Sequence, residues 1–163
     1  MNVALPTSVR LDIQGLANAI AHSQASDALR CQFSPQQWEV LAGYLQPFAM
    51  QQGQFLIEQG AAEQTLYFIE SGTLSVHHED DKGRVRLARV AAGTVLGEGA
   101  FFSRLPRSAT VQATHACKVW RLTVLRFKEL ANRHSPIALE LSLAMAGVLA
   151  KRLYNRPKRV AVT

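Results

Sequence analysis

Cysteine is almost missing from this chain. Cys31 and Cys117 are the only two in 163 residues, and neither belongs to a CxxC pair. A disulfide-framed fold is excluded, and two reduced thiols in a cytoplasmic protein are the expectation. Long apolar runs are missing too. The most apolar segment, residues 137–150, is interrupted by Glu140 and is too short to span a bilayer. Residues 1–20 carry Arg10 and Asp12 and no apolar run of the signal-peptide kind. No membrane partner is expected. Acidic residues become scarce toward the end: residues 121–163 hold nine Lys and Arg against two Asp and Glu, whereas residues 1–120 hold nine against ten. The net charge of +6 therefore belongs to the C-terminal end, densest at Lys151, Arg152, Arg156, Lys158 and Arg159. Such a patch suits nucleic acid or an acidic partner. A solvated tail is the simpler reading.

Signatures of catalysis are also lacking. His77 and His78 are adjacent, so on a strand their rings point to opposite faces. A metal-binding jelly roll needs an HxH pair with further ligands on one face, and that spacing is absent. His22, His115 and His134 stand alone. Ser103 and Ser108 lie outside any G-x-S-x-G elbow, and Gly97-x-Gly99 lacks the third glycine of a dinucleotide fingerprint. No enzyme and no metal site is expected.

What is present is an ordinary globular composition, 48% apolar and 18% charged, enough for one well-cored domain with extra helix. Residues 8–22 suit a helix with Val9, Ile13, Leu16 and Ile20 on one face. Residues 22–30 read as a break. Ser34-Pro35-Gln36-Gln37 is a capping box that starts a second helix, with Trp38, Leu41, Tyr44 and Leu45 as its apolar face. The period then changes. Eight short strands are predicted at Phe48–Met50, Phe55–Glu58, Leu66–Glu70, Thr73–His78, Val85–Val90, Thr94–Leu96, Ala109–Ala113 and Lys118–Leu122. Alternation is clearest in Leu74–His77 and Val85–Val90, and Glu79–Gly83 is a polar hairpin tip. The pattern predicts a mainly β fold: an eight-stranded antiparallel jelly-roll barrel with N-terminal helices and two C-terminal helices. Thr123 caps the first of these, through Leu130. Ser135-Pro136 restarts a long one to about Tyr154, ended by Pro157. That last helix carries Ile137, Leu141, Met145 and Val148 on one face and Leu139, Leu143 and Leu149 on another. One face covers the barrel; the other suits a second helix, from another copy of the chain.

The richest stretch is Gly97-Glu98-Gly99-Ala100 through Pro106-Arg107-Ser108-Ala109-Thr110-Val111. A glycine turn opening a short helix offers free backbone N–H groups to an anion. Arg107 brings a planar fork that matches two phosphate oxygens. Glu98 is the odd member, because a carboxylate beside a phosphate repels it unless it has its own partner. A sugar hydroxyl would be one, and a phosphate with a ribose hydroxyl describes a nucleotide. A plain Glu98–Arg107 salt bridge closing a surface loop is the competing reading.

This run resembles the phosphate-binding cassette of cyclic nucleotide-binding domains, the family of the catabolite activator protein, the regulatory subunits of cyclic-AMP-dependent protein kinase and cyclic-nucleotide-gated channels. The resemblance extends over roughly residues 34–154, through Leu66–Gly72, Leu74-Ser75-Val76 and the glycines at 53, 60, 72, 93 and 97. It implies a stand-alone, bacterial-looking member, with 1–33 a helical extension, 34–154 the binding domain and 155–163 a basic tail. It implies that Glu98 accepts from the ribose 2′-hydroxyl and that Arg107 pairs with the cyclic phosphate. Gly97, Gly99 and Ala100 would lie close to the ligand, with Ala100 and Ser108 donating to it. The ligand would be cyclic AMP or cyclic GMP, cyclic AMP favoured. Arg152 is a candidate to cap the base, although a solvent-facing arginine suited to a helix C-terminus is the simpler expectation. The implied function is a sensor that repositions its C-terminal helices and signals to an effector protein, with nucleic acid not expected as a partner unless a further domain is added. The alternatives are the sensory portion of a DNA-binding transcription regulator, or a dimerising interaction module with an unoccupied pocket that uses the apolar faces of residues 9–20 and 137–149.

Overall fold

The computed structural model describes residues 12–155. Val9, Arg156, Pro157, Lys158 and Arg159, on which some expectations rest, lie outside them. Helix α1 is Ile13–His22, capped by the Asp12 carboxylate, which accepts from the Gln14 amide at 2.9 Å. Helix α2, Pro35–Ala42, opens on the full capping box, Gln37 N to Ser34 Oγ at 3.2 Å and Ser34 N to Gln37 Oε1 at 2.9 Å. It stops before Tyr44 and Leu45, which fall in the connection to the first strand, with Leu45 still buried.

Eight strands follow: β1 Gln46–Met50, β2 Phe55–Ile57, β3 Leu66–Ser71, β4 Thr73–Glu79, β5 Val85–Ala91, β6 Val95–Leu96, β7 Thr110–Ala113 and β8 Cys117–Leu122. Each is displaced from its expected range by a residue or two at most. They form two four-stranded antiparallel sheets, β1-β8-β3-β6 and β2-β7-β4-β5. This is the jelly roll, but as two facing sheets and not a barrel closed by hydrogen bonds.

The first sheet is covered on both faces, and its alternation divides the core in two. Tyr67, Ile69, Leu96, Cys117 and Val119 point between the sheets, where they meet Phe48, Ile57, Leu74 and Val111. Leu66, Phe68, Val95, Trp120 and Leu122 point the other way, into a second core built with the helices. Among the described residues, the second sheet has no such outer cover. Its edge strand β5 pairs only with β4 and is exposed along most of its length, Val85 and Leu87 included. The alternation read in Val85–Val90 is therefore not a burial pattern: one face meets solvent, and Ala88 and Val90 on the other face an open cavity.

Helix α3 is Glu98–Ser103, α4 is Val124–Arg133 and α5 is Ser135–Tyr154. Thr123 caps α4 by accepting from Arg126 N at 3.3 Å. Only His134 separates α4 from α5, and His134 takes the N-cap position of α5. On α5, Ile137, Leu141, Met145 and Val148 are buried against the helical core. Leu139 and Leu143 are each 61% exposed. On α1, Ile13, Leu16 and Ile20 belong to the same core, so that face is not available to another molecule.

Candidate functional site

The cassette is shaped by Gly97. It precedes α3 with φ +85°, and its carbonyl accepts from Phe101 N at 3.0 Å and from Arg107 Nη1 at 3.0 Å. A Cβ there would sit 2.5 Å from Arg107 Nη1 and 2.7 Å from the Thr65 carbonyl oxygen. No side chain caps the first turn of α3, so its leading N–H groups stay available. Phe101 anchors the short helix by an edge-on contact with Phe127 of α4, ring centres 5.5 Å apart.

Arg107 is 3% exposed. Its backbone is pinned by Arg107 N donating to the Ala61 carbonyl at 2.9 Å and its own carbonyl accepting from Gly60 N at 2.8 Å. Its Nε donates to Glu63 Oε2 at 3.1 Å, and its Nη2 donates to the same oxygen and to the Thr65 carbonyl at 2.6 Å. With the bond to Gly97, four of five N–H donors are engaged, leaving one on Nη1 for a further acceptor. Burial raises the Glu63 carboxyl's proton affinity. The bonds from Thr65 and Arg107, with the arginine's charge, outweigh that and hold its pKa below the ordinary carboxylate value.

Glu98 does not pair with Arg107. Its Oε1 accepts from Arg152 Nη1 at 2.5 Å. Arg152 also donates from Nε to Asp27 Oδ2 at 2.7 Å and from Nη2 to the Val95 carbonyl at 2.8 Å. The side chain is 23% exposed. The expectation of a solvent-facing Arg152 in a basic tail is thus corrected: two carboxylates and a carbonyl draw it inward. Burial works against its charge, but Glu98 and Asp27 more than compensate and raise its pKa further. The expectation of a surface Glu98–Arg107 bridge gives way likewise, each residue having found a different partner.

These groups surround one cavity of about 610 Å³, well within the range of small-ligand sites. Gly97, Glu98, Gly99, Ala100, Arg107, Ser108 and Arg152, singled out from the sequence, all line it. Ile57, Val76, Ala88, Val90 and Val111 of the second sheet supply apolar walls, and Leu149 and Leu153 bring in the end of α5. Ser108 is held from behind by His78, whose Nδ1 donates to its carbonyl at 2.6 Å, while His77 bonds Ser75 Oγ on the strand's other face. Sequence reasoning missed Asp27, Glu63 and Thr65. Nothing local marks them: Asp27 lies in the polar break after α1, and Glu63 and Thr65 in the connection before β3.

Residues 48–134 match the family model described as the cyclic nucleotide-binding domain. The cyclic-AMP-activated global transcriptional regulator CRP of Escherichia coli O6:H1 is 36% identical over 93 residues, 56% of this chain and 44% of that protein. The cyclic-AMP-dependent protein kinase type II regulatory subunit of Drosophila melanogaster is 40% identical over 62 residues, 38% of this chain and 16% of that protein. The chain thus spans less than half the length of these curated relatives. Among solved structures, a cyclic nucleotide-binding domain from Methylobacillus flagellatus KT superposes with a TM-score of 0.77 at 19% identity, covering 87% of this chain and 78% of that one, a likeness of fold. The family match takes in just over half of the chain and the whole of the cassette, and the chain belongs to the cyclic nucleotide-binding domain family.

Proposed function

We propose that the chain is a non-catalytic sensor that takes a 3′,5′-cyclic nucleotide into this cavity, cyclic AMP in preference to cyclic GMP. The observation that carries the reading is the cavity's division of labour. One wall holds a buried arginine with a donor to spare beside uncapped α3 amides, another holds Glu98 with Arg152 and Asp27, and the wall from the second sheet is apolar. Arg107 and the amides of α3 would take the phosphate, Ser108 and Ala100 adding donors. Glu98 would accept from the ribose hydroxyl, and the valine-rich wall of the second sheet would cover the purine. Arg152 has its donors on Glu98, Asp27 and Val95, so we assign it to the ribose edge and not to the base. The preference for cyclic AMP rests on the curated relatives, which are named for that nucleotide.

Signalling follows from the lining. Leu149, Ala150, Arg152 and Leu153 of α5 are part of the site, so a ligand that prefers one setting of that helix shifts the population toward it. The receiver is an effector protein of unidentified kind. Calorimetric titration with cyclic AMP, cyclic GMP and cyclic di-GMP is the test. Saturable heat with cyclic AMP, weaker with cyclic GMP, is expected; no heat from folded protein with any of the three would overturn the reading.

The exposed face of α5 supports a homodimer as well. Leu139, Leu143, Ala146, Ala150 and Leu153 are all exposed and recur at alternating steps of four and three along α5. That is the spacing of a two-helix seam. Sedimentation should show a dimer that Leu143→Glu converts to a monomer of unchanged circular dichroism; a monomeric parent would sink this part alone. The same seam would serve a sensor joined to a DNA-binding portion, as the greater length of the regulator relatives suggests.

A further inference from the structure

Asp27 and Arg152 both lie outside residues 48–134, the span of the family match, yet both line the cavity and bond to each other. Asp27 comes from the connection between α1 and α2, Arg152 from the last turn of α5, and Glu98 from α3. One guanidinium joins all three elements, Nε on Asp27 at 2.7 Å and Nη1 on Glu98 at 2.5 Å. Two properties of this chain of charges bear on the ligand. First, Glu98 uses only Oε1 for Arg152, so Oε2 keeps its lone pairs for a hydroxyl. Second, the one guanidinium is shared by two carboxylates, so its charge offsets only part of theirs, and its distinct contribution is to fix where Glu98 points.

Resting on the reading above, we propose that Asp27 is a positioning residue of the nucleotide site. It fixes Arg152, and Arg152 in turn holds Glu98 aimed at the ribose 2′-hydroxyl. The third bond of Arg152, from Nη2 to the Val95 carbonyl at 2.8 Å, sets the plane of the fork. A guanidinium pinned on Nε, Nη1 and Nη2 has one orientation, which a lysine ammonium cannot copy. The N-terminal segment is then part of the binding site and not only a support for it. Ligand affinity depends on a residue about seventy positions upstream of the cassette.

The test compares cyclic AMP with 2′-deoxy cyclic AMP by calorimetry on the full chain. The parent should bind cyclic AMP more tightly than the deoxy analogue. Asp27→Asn should lose about tenfold in affinity for cyclic AMP and little for the analogue, so that the ratio between them collapses. Arg152→Lys should do the same, and the double variant should be no worse than Arg152→Lys alone, as members of one chain of contacts behave. Equal losses for both nucleotides would mean a structural role only and would overturn the proposal, as would an unchanged ratio. Should Asp27→Asn fail to fold, the Arg152→Lys ratio decides. If the parent binds neither nucleotide, the sensor reading itself fails, an outcome distinct from a parent that binds both with a ratio Asp27 does not control.

Discussion

Arg107→Ala is expected to weaken cyclic-nucleotide binding by at least tenfold and to lower the melting temperature as well. The two losses have separate causes. In the bound state its spare Nη1 donor would supply a charge-assisted hydrogen bond worth about 1.5–3 kcal/mol, and alanine would supply none. In the free protein the same side chain satisfies the Thr65 and Gly97 carbonyls and the Glu63 carboxylate from a position 3% exposed. Truncation leaves those acceptors around a void. Glu63, with its side chain 43% exposed, can turn to water; the Thr65 and Gly97 carbonyls are backbone, held beside the ends of β3 and β6. A destabilisation of about 2–3 kcal/mol is expected, a shift of roughly 5–10 °C for a domain of this size. Calorimetry and thermal denaturation measure the two effects independently. Arg107→Lys should keep part of the affinity and lose the fork, falling between parent and alanine. Affinity within threefold of the parent for Arg107→Ala would mean that the phosphate is held elsewhere.

The second large effect is expected at Gly97. An alanine there meets two obstacles together. A residue with a Cβ at φ +85° is disfavoured by about 1–2 kcal/mol. The Cβ would also lie 2.5 Å from Arg107 Nη1 and 2.7 Å from the Thr65 carbonyl, one a packed guanidinium with four of its five donors engaged and the other backbone. Neither can withdraw without breaking the bonds that hold the cassette. Gly97→Ala should therefore cost about 3 kcal/mol or more in stability and abolish measurable binding. Gly99→Ala is the control, because a Cβ at Gly99 meets no atom within 4 Å. Its melting temperature should match the parent's, and any loss of affinity it shows would come from the ligand's approach. Equal melting temperatures for both variants would contradict this account.

The order of elements was legible because each carries its own local chemistry. Ser34 and Gln37 announce a capping box wherever they occur, Thr123 caps α4, and glycine punctuation spaces the strands. The cassette was legible for a related reason: Glu98 and Arg107 lie nine residues apart, and the turn at Gly97 brings both into one cavity. What stayed hidden were the partners. Glu63 lies forty-four positions from Arg107 and Asp27 one hundred and twenty-five from Arg152, and no periodicity reports a juxtaposition over such distances. Arg152 shows the cost of reading locally. A basic residue at a helix end, in a run of basic residues, is ordinarily solvated, and only the fold reveals the acids waiting for it. The alternation in β5 did mark a strand but not a buried face, since among the described residues nothing packs on the sheet's outer face.

The two cores on opposite sides of the first sheet carry a consequence for cooperativity. One backbone layer supplies side chains to both, odd residues of β3 to one and even residues to the other, and the two clusters share no buried residue. The helices can therefore loosen at the expense of their own packing alone, while the interior between the sheets stays intact. On the proposed sensor reading, a ligand lodged mainly against the second sheet and touching α5 at its rim would act on a layer whose opening energy is expected to lie below that of the whole domain. On that reading the rigid part would recognise and the separable part would respond, with the first sheet as the partition between them.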